Sequence, residues 1–199
     1  VEQMAETYKE RFWRADAAAI NAMAVAKKDS NREQIVADIL AVIYTPWLEK
    51  VALNFQNLVR TEGYPGNPRK NNEVNESTAA YNVGGQVVFF VDGLRFDTAK
   101  ALQEKLDKSG LSTALTTNWC ALPSLTATAK AAVTPVGDLL DGAQENDNFT
   151  PKLKDSTSEF GSYQFKKALK DKGWQYLEGL ETGEPNGNAW VQTGDLDNM

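Results

Sequence analysis

Apolar residues recur at helical spacing through the first third of the chain. In the first helical stretch alanines separate the large apolar positions, which are Met4, Tyr8, Phe12, Ile20 and Met23. A second set, at steps of four with one step of three, comprises Ile35, Ile39, Ile43, Trp47, Val51, Phe55 and Leu58. Spacing of this kind is typical of helices that pack along one face. The two stripes therefore predict a helical hairpin over residues 1–62, with the stripes buried as core.

Local signals mark the ends of the second helix. Ser30 or Asn31 is a suitable N-cap, because a short polar side chain satisfies the free N–H groups of the first turn. Gly63 is expected to end the helix. Pro46 lies inside the pattern and predicts a kink or a split near residues 44–45, because proline lacks an N–H group and clashes with the preceding turn.

The pattern changes after residue 62. Residues 63–82 hold two prolines, two glycines and five asparagines among few large apolar side chains, which is typical of a linker loop. The segments beyond it alternate between strand and helix patterns. The chain therefore divides into a helical region at 1–62, a linker loop at 63–82 and an α/β core at 83–199.

Five consecutive apolar residues, Val87 to Val91, predict a strand buried on both faces, as in a parallel sheet. Asp92 follows this strand directly, and open α/β sheets bind ligands at the carboxyl ends of their strands. A carboxylate there is costly to desolvate unless a cation or hydrogen-bond donors lie nearby. Asp92 is therefore either a ligand-binding residue or a cap of the following helix, and this segment leaves both open.

The core is expected to have a mainly parallel sheet. A helix around 96–109 followed by a short strand near 111–117 would form a strand–helix–strand unit with a parallel crossover. The remaining expected elements are a helix at 161–172 and strands at 174–177 and 189–193.

Pro123, Ser124 and Thr126 precede an alanine-rich stretch that predicts a helix as far as Val133. A hydroxyl group at a helix N-terminus faces unsatisfied N–H groups, which also bind phosphate. Such a hydroxyl becomes a nucleophile where a metal ion lowers its pKa. Serine and threonine are also common N-caps, so both residues are either caps or site residues. The two acids near the end, Asp195 and Asp197, likewise either ligate a metal or form a solvated turn.

Composition narrows the function classes. The net charge of −6 argues against non-specific coating of nucleic acid, which needs clustered lysine and arginine. No P-loop motif occurs, and the chain has no histidine, the commonest metal ligand and general base. A single cysteine and the lack of a membrane-length apolar run or signal-peptide pattern favour a cytoplasmic location without membrane contact.

Three segments of the chain are more informative together, in their order along the sequence, than each is alone. They are Phe-Val-Asp-Gly-Leu-Arg-Phe-Asp (90–97), Ala-Leu-Pro-Ser-Leu-Thr-Ala-Thr-Ala-Lys (121–130) and Ala-Trp-Val-Gln-Thr-Gly-Asp-Leu-Asp (189–197). Together they resemble the PglZ family of the alkaline phosphatase superfamily, whose members are the phosphatase components of BREX phage-defence systems. The resemblance covers most of residues 83–199 and implies part of an alkaline-phosphatase-like α/β/α core. The helical region also resembles the segment that precedes this core in the family.

The resemblance implies roles for individual residues. Asp92 matches a metal-ligating aspartate, and Asp197 matches the aspartate of a second metal motif. Thr126 matches the nucleophile, with Ser124 as the fallback. Two divalent ions, zinc for preference, would stabilise charge on the attacking and leaving oxygens during in-line displacement.

The same resemblance implies a phosphate-containing substrate, which includes nucleotides and oligonucleotides, and other defence-system proteins as partners. Arg95 and Lys130 would contact the substrate phosphate, although surface residues of these types are more often plain solvated charges. The implied activity is hydrolysis of a phosphate ester or phosphodiester through a threonine nucleophile.

This sequence departs from the family pattern at its end. It stops at Met199, just before the position of the family's first histidine, and the later Asp-His pair and final histidine do not occur. Zinc sites use three or four protein ligands, so Asp92 and Asp197 alone are too few. With Val1 as its first residue, the chain is expected to be an internal fragment that is inactive by itself. The alternative is a non-catalytic interaction module of a multi-subunit defence complex.

Overall fold

The computed structural model describes residues 1–65, 85–120, 123–141, 149–154, 156, 159–179 and 181–193. Within them the helices are α1 (Glu2–Thr7), α2 (Trp13–Ala26), α3 (Ser30–Glu62), α4 (Phe96–Lys108), α5 (Thr126–Val133) and α6 (Ser162–Asp171). A π-helical turn, Tyr8–Phe12, joins α1 to α2. The strands are β1 (Val87–Val91), β2 (Leu140–Asp141), β3 (Lys152–Leu153), β4 (Trp174–Glu178) and β5 (Asn188–Thr193).

The strands form two sheets. β1, β5 and β4, in that spatial order, make a parallel sheet with β5 in the centre, and β2 pairs with β3 in an antiparallel ribbon. The protein is therefore an α/β protein with an N-terminal helical region and a mainly parallel sheet, as the sequence pattern predicted. The strand expected at 111–117 is wrong. Those residues form no strand, because β1 pairs with the distant β5 and not with the segment that follows α4.

Contacts within the chain divide it into two units. The helical unit comprises residues 1–65 and 94–117, and the sheet unit comprises residues 66–93 and 118–199. Helix α4 thus belongs with the N-terminal helices although it follows β1 in the chain. Its Phe96 ring explains this, because the ring centroid lies 6.1 Å from that of Tyr8 and 6.3 Å from that of Trp13. The predicted boundaries at 62 and 82 stay predictions.

Helix α3 runs through Pro46 without a break, so of the expected kink or split at residues 44–45 the split is wrong, and the kink stays a prediction. Packing on both sides of the proline holds the helix together: the Trp47 ring lies 5.7 Å from Phe12 and 5.8 Å from Tyr44, centroid to centroid. Tertiary contacts here outweigh the hydrogen bond that proline cannot make.

The ends of α3 follow ordinary capping rules. Asp29 is the N-cap, since its carboxylate accepts a hydrogen bond from the Asn31 backbone N–H at 3.0 Å. The expected caps, Ser30 and Asn31, lie one and two residues too late. Gly63 ends the helix as predicted, in a positive-φ conformation (87°) that glycine adopts without steric strain.

The apolar stripe of α3 is buried in its second half only. Trp47, Val51 and Phe55 are half-buried, whereas Ile35, Ile39 and Ile43 are 58%, 52% and 64% exposed. A step of four residues advances about 40° beyond a full helical turn, so a stripe at constant steps of four rotates around the helix. The prediction that the whole stripe forms core is therefore wrong for its first three members.

No described helix is long and apolar enough to cross a membrane.

A buried carboxylate joins the elements of the helical unit. Asp16 on α2 is 4% exposed and accepts hydrogen bonds from the hydroxyl groups of Tyr8 (2.5 Å) and Tyr44 (2.7 Å). The Arg95 guanidinium group lies 3.3 Å from Asp16 and donates to the buried Asp97 at 3.0 Å. Burial and the hydrogen bond to Asp16 raise the pKa of Tyr44. The cluster satisfies the buried charges, as burial requires.

Asp16→Ala tests this cluster. The substitution suits a helix, but it leaves two tyrosine hydroxyl groups without their acceptor and Arg95 without one of its two carboxylate partners. We expect it to lower the free energy of unfolding by about 3 kcal/mol. Asp38→Ala is the control, because Asp38 is exposed on α3 and accepts only from Gln34 among the described residues; its effect should stay below about 0.5 kcal/mol. Urea unfolding followed by circular dichroism measures both. Equal effects would contradict the structural role of Asp16.

An aromatic core packs on one face of the parallel sheet. Trp190 of β5 is completely buried, stacked on Phe90 of β1 at 5.5 Å and in edge contact with Phe165 of α6 at 5.5 Å. Leu169, one turn after Phe165, is also completely buried in this cluster. Helix α6 thus covers the sheet through an i, i+4 pair.

The opposite face of β1 is open to solvent in the described structure. Val87 and Phe89, which alternate with the packed residues Val88 and Phe90, are 53% and 64% exposed. The prediction of a strand buried on both faces is therefore wrong, although the strand itself and its parallel pairing are confirmed. A continuous apolar run in the sequence therefore did not distinguish a strand with one covered face from a strand with both faces covered.

Candidate active site at the carboxyl edge of the sheet

Parallel pairing brings the carboxyl ends of β1, β5 and β4 to one edge of the sheet. Asp92 follows the last residue of β1, and Glu178 is the last residue of β4. Gln192 of β5 lies between them in register, opposite both Phe90 and Glu178. The edge where α/β sheets bind ligands therefore carries an acid from each outer strand and an amide from the central one.

Thr126 is the first residue of helix α5, where the sequence placed it, but it does not cap the helix. The N-cap is Leu125, in extended conformation, and its backbone N–H donates to Thr128 Oγ1 at 3.1 Å. Thr128 thus supplies the side-chain contact at this helix start. The capping alternative accordingly fails for Thr126, whose hydroxyl group is free for another partner.

That partner is Asp92. Thr126 Oγ1 donates to Asp92 Oδ2 at 2.5 Å, and Asp92 Oδ1 accepts from the Gly93 backbone N–H at 3.0 Å. The two residues are 34 positions apart in sequence, and the fold joins them within the sheet unit. Asp92 is half-buried and Thr126 is exposed, so the hydroxyl oxygen remains accessible to a substrate. Asp92 therefore does not cap the following helix.

Lys130 lies one turn after Thr126 on the same helix. Its ammonium group donates to Gln192 Oε1 at 2.6 Å and lies 4.2 Å from the centroid of the Phe165 ring. Burial is the largest influence on the Lys130 pKa and lowers it, the charges of Glu178 and Asp92 raise it, and the charge of Lys166 lowers it. The sensitivity to Asp92 places this cation in the electrostatic range of the Thr126–Asp92 pair.

A second hydrogen-bond chain extends along β4. The Tyr176 hydroxyl group donates to Glu178 at 2.7 Å and lies 3.3 Å from Gln192 Oε1, and Lys166 lies 3.3 Å from Glu178. Burial, followed by the hydrogen bond to Glu178, raises the pKa of Tyr176, and the Tyr176 and Lys166 contacts lower the pKa of Glu178. Gln192, Tyr176 and Glu178 were not predicted from the sequence. The only signal for them was alternation, which puts Tyr176 and Glu178 on one strand face.

The other residues singled out from the sequence make no described contact with Asp92, Thr126 or Lys130. Ser124 is exposed in the loop before α5. Arg95 belongs to the helical unit, where its guanidinium group contacts Asp16 and Asp97. Asp197 lies outside the described residues. Of the proposed site residues, the structure thus brings together Asp92, Thr126 and Lys130.

The Thr126–Asp92 pair is chemically suited to a divalent cation. A carboxylate oxygen and a hydroxyl oxygen in contact are hard donors of the kind that such ions accept. In the part of the chain that the structure describes, no three His, Cys, Asp or Glu side chains lie close enough to hold a metal ion. The described residues therefore offer two oxygen donors to a cation, fewer than the three or four protein ligands of a zinc site.

No protein-family model, no curated protein and no solved structure matches this chain. The class of site is therefore given by the fold alone: it is a polar edge of a parallel sheet with an accessible hydroxyl group, at the place where α/β folds bind ligands.

Proposed function

We propose that this chain is part of a PglZ-type metal-dependent phosphohydrolase that acts in the cytoplasm in BREX anti-phage defence. Its reaction is hydrolysis of a phosphate ester or phosphodiester through Thr126. The observation that carries the proposal is the hydrogen bond from Thr126 to Asp92, between two residues that the sequence had singled out independently. A hydroxyl group, a carboxylate and a half-buried lysine at the carboxyl edge of a parallel sheet support phosphoryl chemistry.

In the proposed mechanism the Thr126 hydroxyl oxygen attacks phosphorus and the leaving-group oxygen departs on the opposite side. The hydroxyl proton already lies toward Asp92 Oδ2, so the carboxylate is in place to accept it as the oxygen attacks. Lys130 offers a positive charge to the phosphoryl oxygens. Water then cleaves the phospho-threonine and regenerates the hydroxyl group.

A pair of divalent ions, zinc for preference, would supply stabilisation of the charge that develops on the phosphoryl oxygens. Asp92 and Thr126 would hold them from one side, and Asp197 is the further ligand that we propose. The half-buried Lys130 suits a phosphorylated substrate, and nucleotides and oligonucleotides belong to that class.

Asp92→Asn tests the proposal with the protein expressed from its complete gene. The amide keeps the side-chain shape but loses the charge that binds a cation and accepts the Thr126 proton. Hydrolysis of p-nitrophenyl phosphate and bis(p-nitrophenyl) phosphate should fall at least about a hundredfold, together with the bound metal measured by mass spectrometry. Asp138→Asn, at an exposed carboxylate of the same unit, is the control. Full activity and metal content in Asp92→Asn would refute the assignment.

One observation favours the alternative, a non-catalytic interaction module. Ile35, Ile39 and Ile43 form an exposed apolar stripe on α3, together with Val42, which is 74% exposed. If the protein is an interaction module, the Thr126→Ala variant should still restrict phage, whereas a variant with glutamate at Ile39 and Ile43 should not. If the protein is an enzyme, the Thr126→Ala variant should fail to restrict phage. A phage-restriction assay in cells separates the two functions.

A further inference from the structure

We propose that Gln192 is the positioning residue of this site. Its neutral amide holds the Lys130 ammonium group at the carboxyl edge of the sheet, with the charge intact, to bind a phosphoryl oxygen of the substrate. This inference rests on the proposed phosphohydrolase function and gives a role to a residue that lies within the 189–197 segment but was not singled out from it.

The first support is the placement of Lys130 relative to Thr126. The two residues are four positions apart on α5, so their side chains lie on the same helix face. Lys130 also responds to the charge of Asp92, which contacts Thr126. The cation thus lies on the helix face that also carries the hydroxyl group proposed to attack phosphorus.

The second support is the chemistry of the contact. Lys130 Nζ donates to Gln192 Oε1 at 2.6 Å, and an amide oxygen accepts this hydrogen bond without cancelling the positive charge. A carboxylate at the same position would form an ion pair with Lys130 and compete with a phosphate for it. Glutamine at this strand position therefore orients the Lys130 ammonium group, and the ammonium group keeps the positive charge that attracts an anion.

The third support is the placement of the nearest carboxylate on the strand side. Glu178 accepts from Tyr176 at 2.7 Å and lies 3.3 Å from Lys166, so its direct contacts are with groups other than Lys130, although its charge still raises the Lys130 pKa. The Tyr176 hydroxyl oxygen also lies 3.3 Å from Gln192 Oε1, the atom that accepts from Lys130. Tyr176 and Lys166 are thus the direct partners of the acid, and Lys130 is the donor to the amide oxygen.

Lys130 keeps donor capacity for a ligand. An ammonium group has three N–H donors; one points to Gln192, and the Phe165 ring, 4.2 Å away, offers its face to the charge. Among the described residues, Gln192 is the one hydrogen-bond acceptor of Lys130. A phosphoryl oxygen can take a remaining donor.

Gln192→Glu tests the inference in the protein expressed from its complete gene. The side chain keeps its size and its contact but adds a charge that neutralises Lys130. Two probes are used: binding of inorganic phosphate by calorimetry and hydrolysis of bis(p-nitrophenyl) phosphate. Lys130→Met is the second variant, and both are checked for folding by circular dichroism. Gln56→Glu and Lys167→Met, at exposed positions, are the charge-matched controls.

We expect Gln192→Glu to weaken phosphate binding and raise KM about tenfold, with kcat changed less than about threefold. Lys130→Met should weaken binding at least as much, and the controls should match the unmodified protein. The groups that set the Lys130 charge are Asp92, Glu178 and Lys166, and a glutamate at 192 adds an anion that raises the Lys130 pKa. The alkaline limb of phosphate binding should therefore move to higher pH in Gln192→Glu.

The outcomes separate the role of Gln192 from the proposed function. Hydrolysis with unchanged KM and phosphate affinity in both variants would overturn the role of Gln192 and Lys130 and leave the phosphohydrolase standing. Phosphate binding that depends on Lys130 without any hydrolysis would support this inference as an anion site and overturn the proposed function. Neither binding nor hydrolysis in the unmodified protein would overturn both.

Discussion

Thr126→Ala is expected to lower the hydrolysis rate constant at least about a thousandfold, because the nucleophile of a covalent mechanism has no substitute. The variant removes one hydroxyl group at the first residue of α5 and leaves the helix start intact, since Leu125 and Thr128 make the capping contacts. Circular dichroism should be unchanged. The bound metal should fall by less than the activity does, because Asp92 remains.

Two matched variants make this result specific. Thr126→Ser keeps a hydroxyl group at the same place and should retain measurable activity. Ser124→Ala removes the fallback nucleophile, which is exposed in the loop before the helix, and should have nearly full activity. Hydrolysis that survives in Thr126→Ala with normal metal content, or that is lost in Ser124→Ala, would move the nucleophile away from Thr126.

Trp190→Ala is expected to destabilise the protein strongly, by about 3–5 kcal/mol. Trp190 is completely buried on the central strand and contacts Phe90 and Phe165, so its removal leaves a cavity where β1, β5 and α6 meet. The same cavity would loosen the strand that carries Gln192. Urea unfolding followed by fluorescence and circular dichroism measures the loss.

A conservative variant refines this expectation. The indole Nε1–H of Trp190 is buried without a hydrogen-bond partner among the described residues, and such a donor costs about 1–3 kcal/mol. Trp190→Phe removes this donor and keeps most of the aromatic packing, so it should lose no more than about 2 kcal/mol. Tyr163→Ala, at a side chain that is 76% exposed, is the control and should have little effect. Equal losses in Trp190→Ala and Tyr163→Ala would contradict the assigned core.

Several elements of both units could be predicted from the sequence because their signals were local. The run Val87 to Val91 marked β1, and alanines after Thr126 marked α5 as far as Val133. Gly63 marked the end of α3 through its backbone freedom. These features depend on neighbouring residues, so the sequence carries them without knowledge of the fold.

Features set by distant parts of the chain could not be predicted in this way. The pairing of β1 with β5 joins residues about a hundred positions apart. This pairing brings Gln192 to the edge of the sheet at which β1 ends and Asp92 follows it. The contact from Lys130 to Gln192 depends on that pairing, so no local motif could mark it. Tertiary packing likewise decided that α3 continues through Pro46 and that Ile35, Ile39 and Ile43 remain exposed.

The candidate site combines both kinds of information. Asp92 and Thr126 were singled out by their positions at a strand end and a helix start, and the fold places their oxygens in contact. In the sequence each residue also fitted helix capping. The contact between their oxygens instead favours a joint chemical role for the pair. The chain has no histidine, so the acid–base chemistry of the proposed mechanism would fall to carboxylate, hydroxyl and amine groups.

The central claim is that Thr126 forms a covalent bond with phosphorus during turnover. The protein expressed from its complete gene is mixed with p-nitrophenyl phosphate and a divalent metal, quenched in acid within the first turnover, and digested for peptide mass spectrometry. We predict a phosphoryl group on Thr126, absent from Thr126→Ala and from a sample without substrate. Hydrolysis that proceeds with Thr126 unmodified, or with the phosphoryl group on Ser124 or another residue, would contradict this claim.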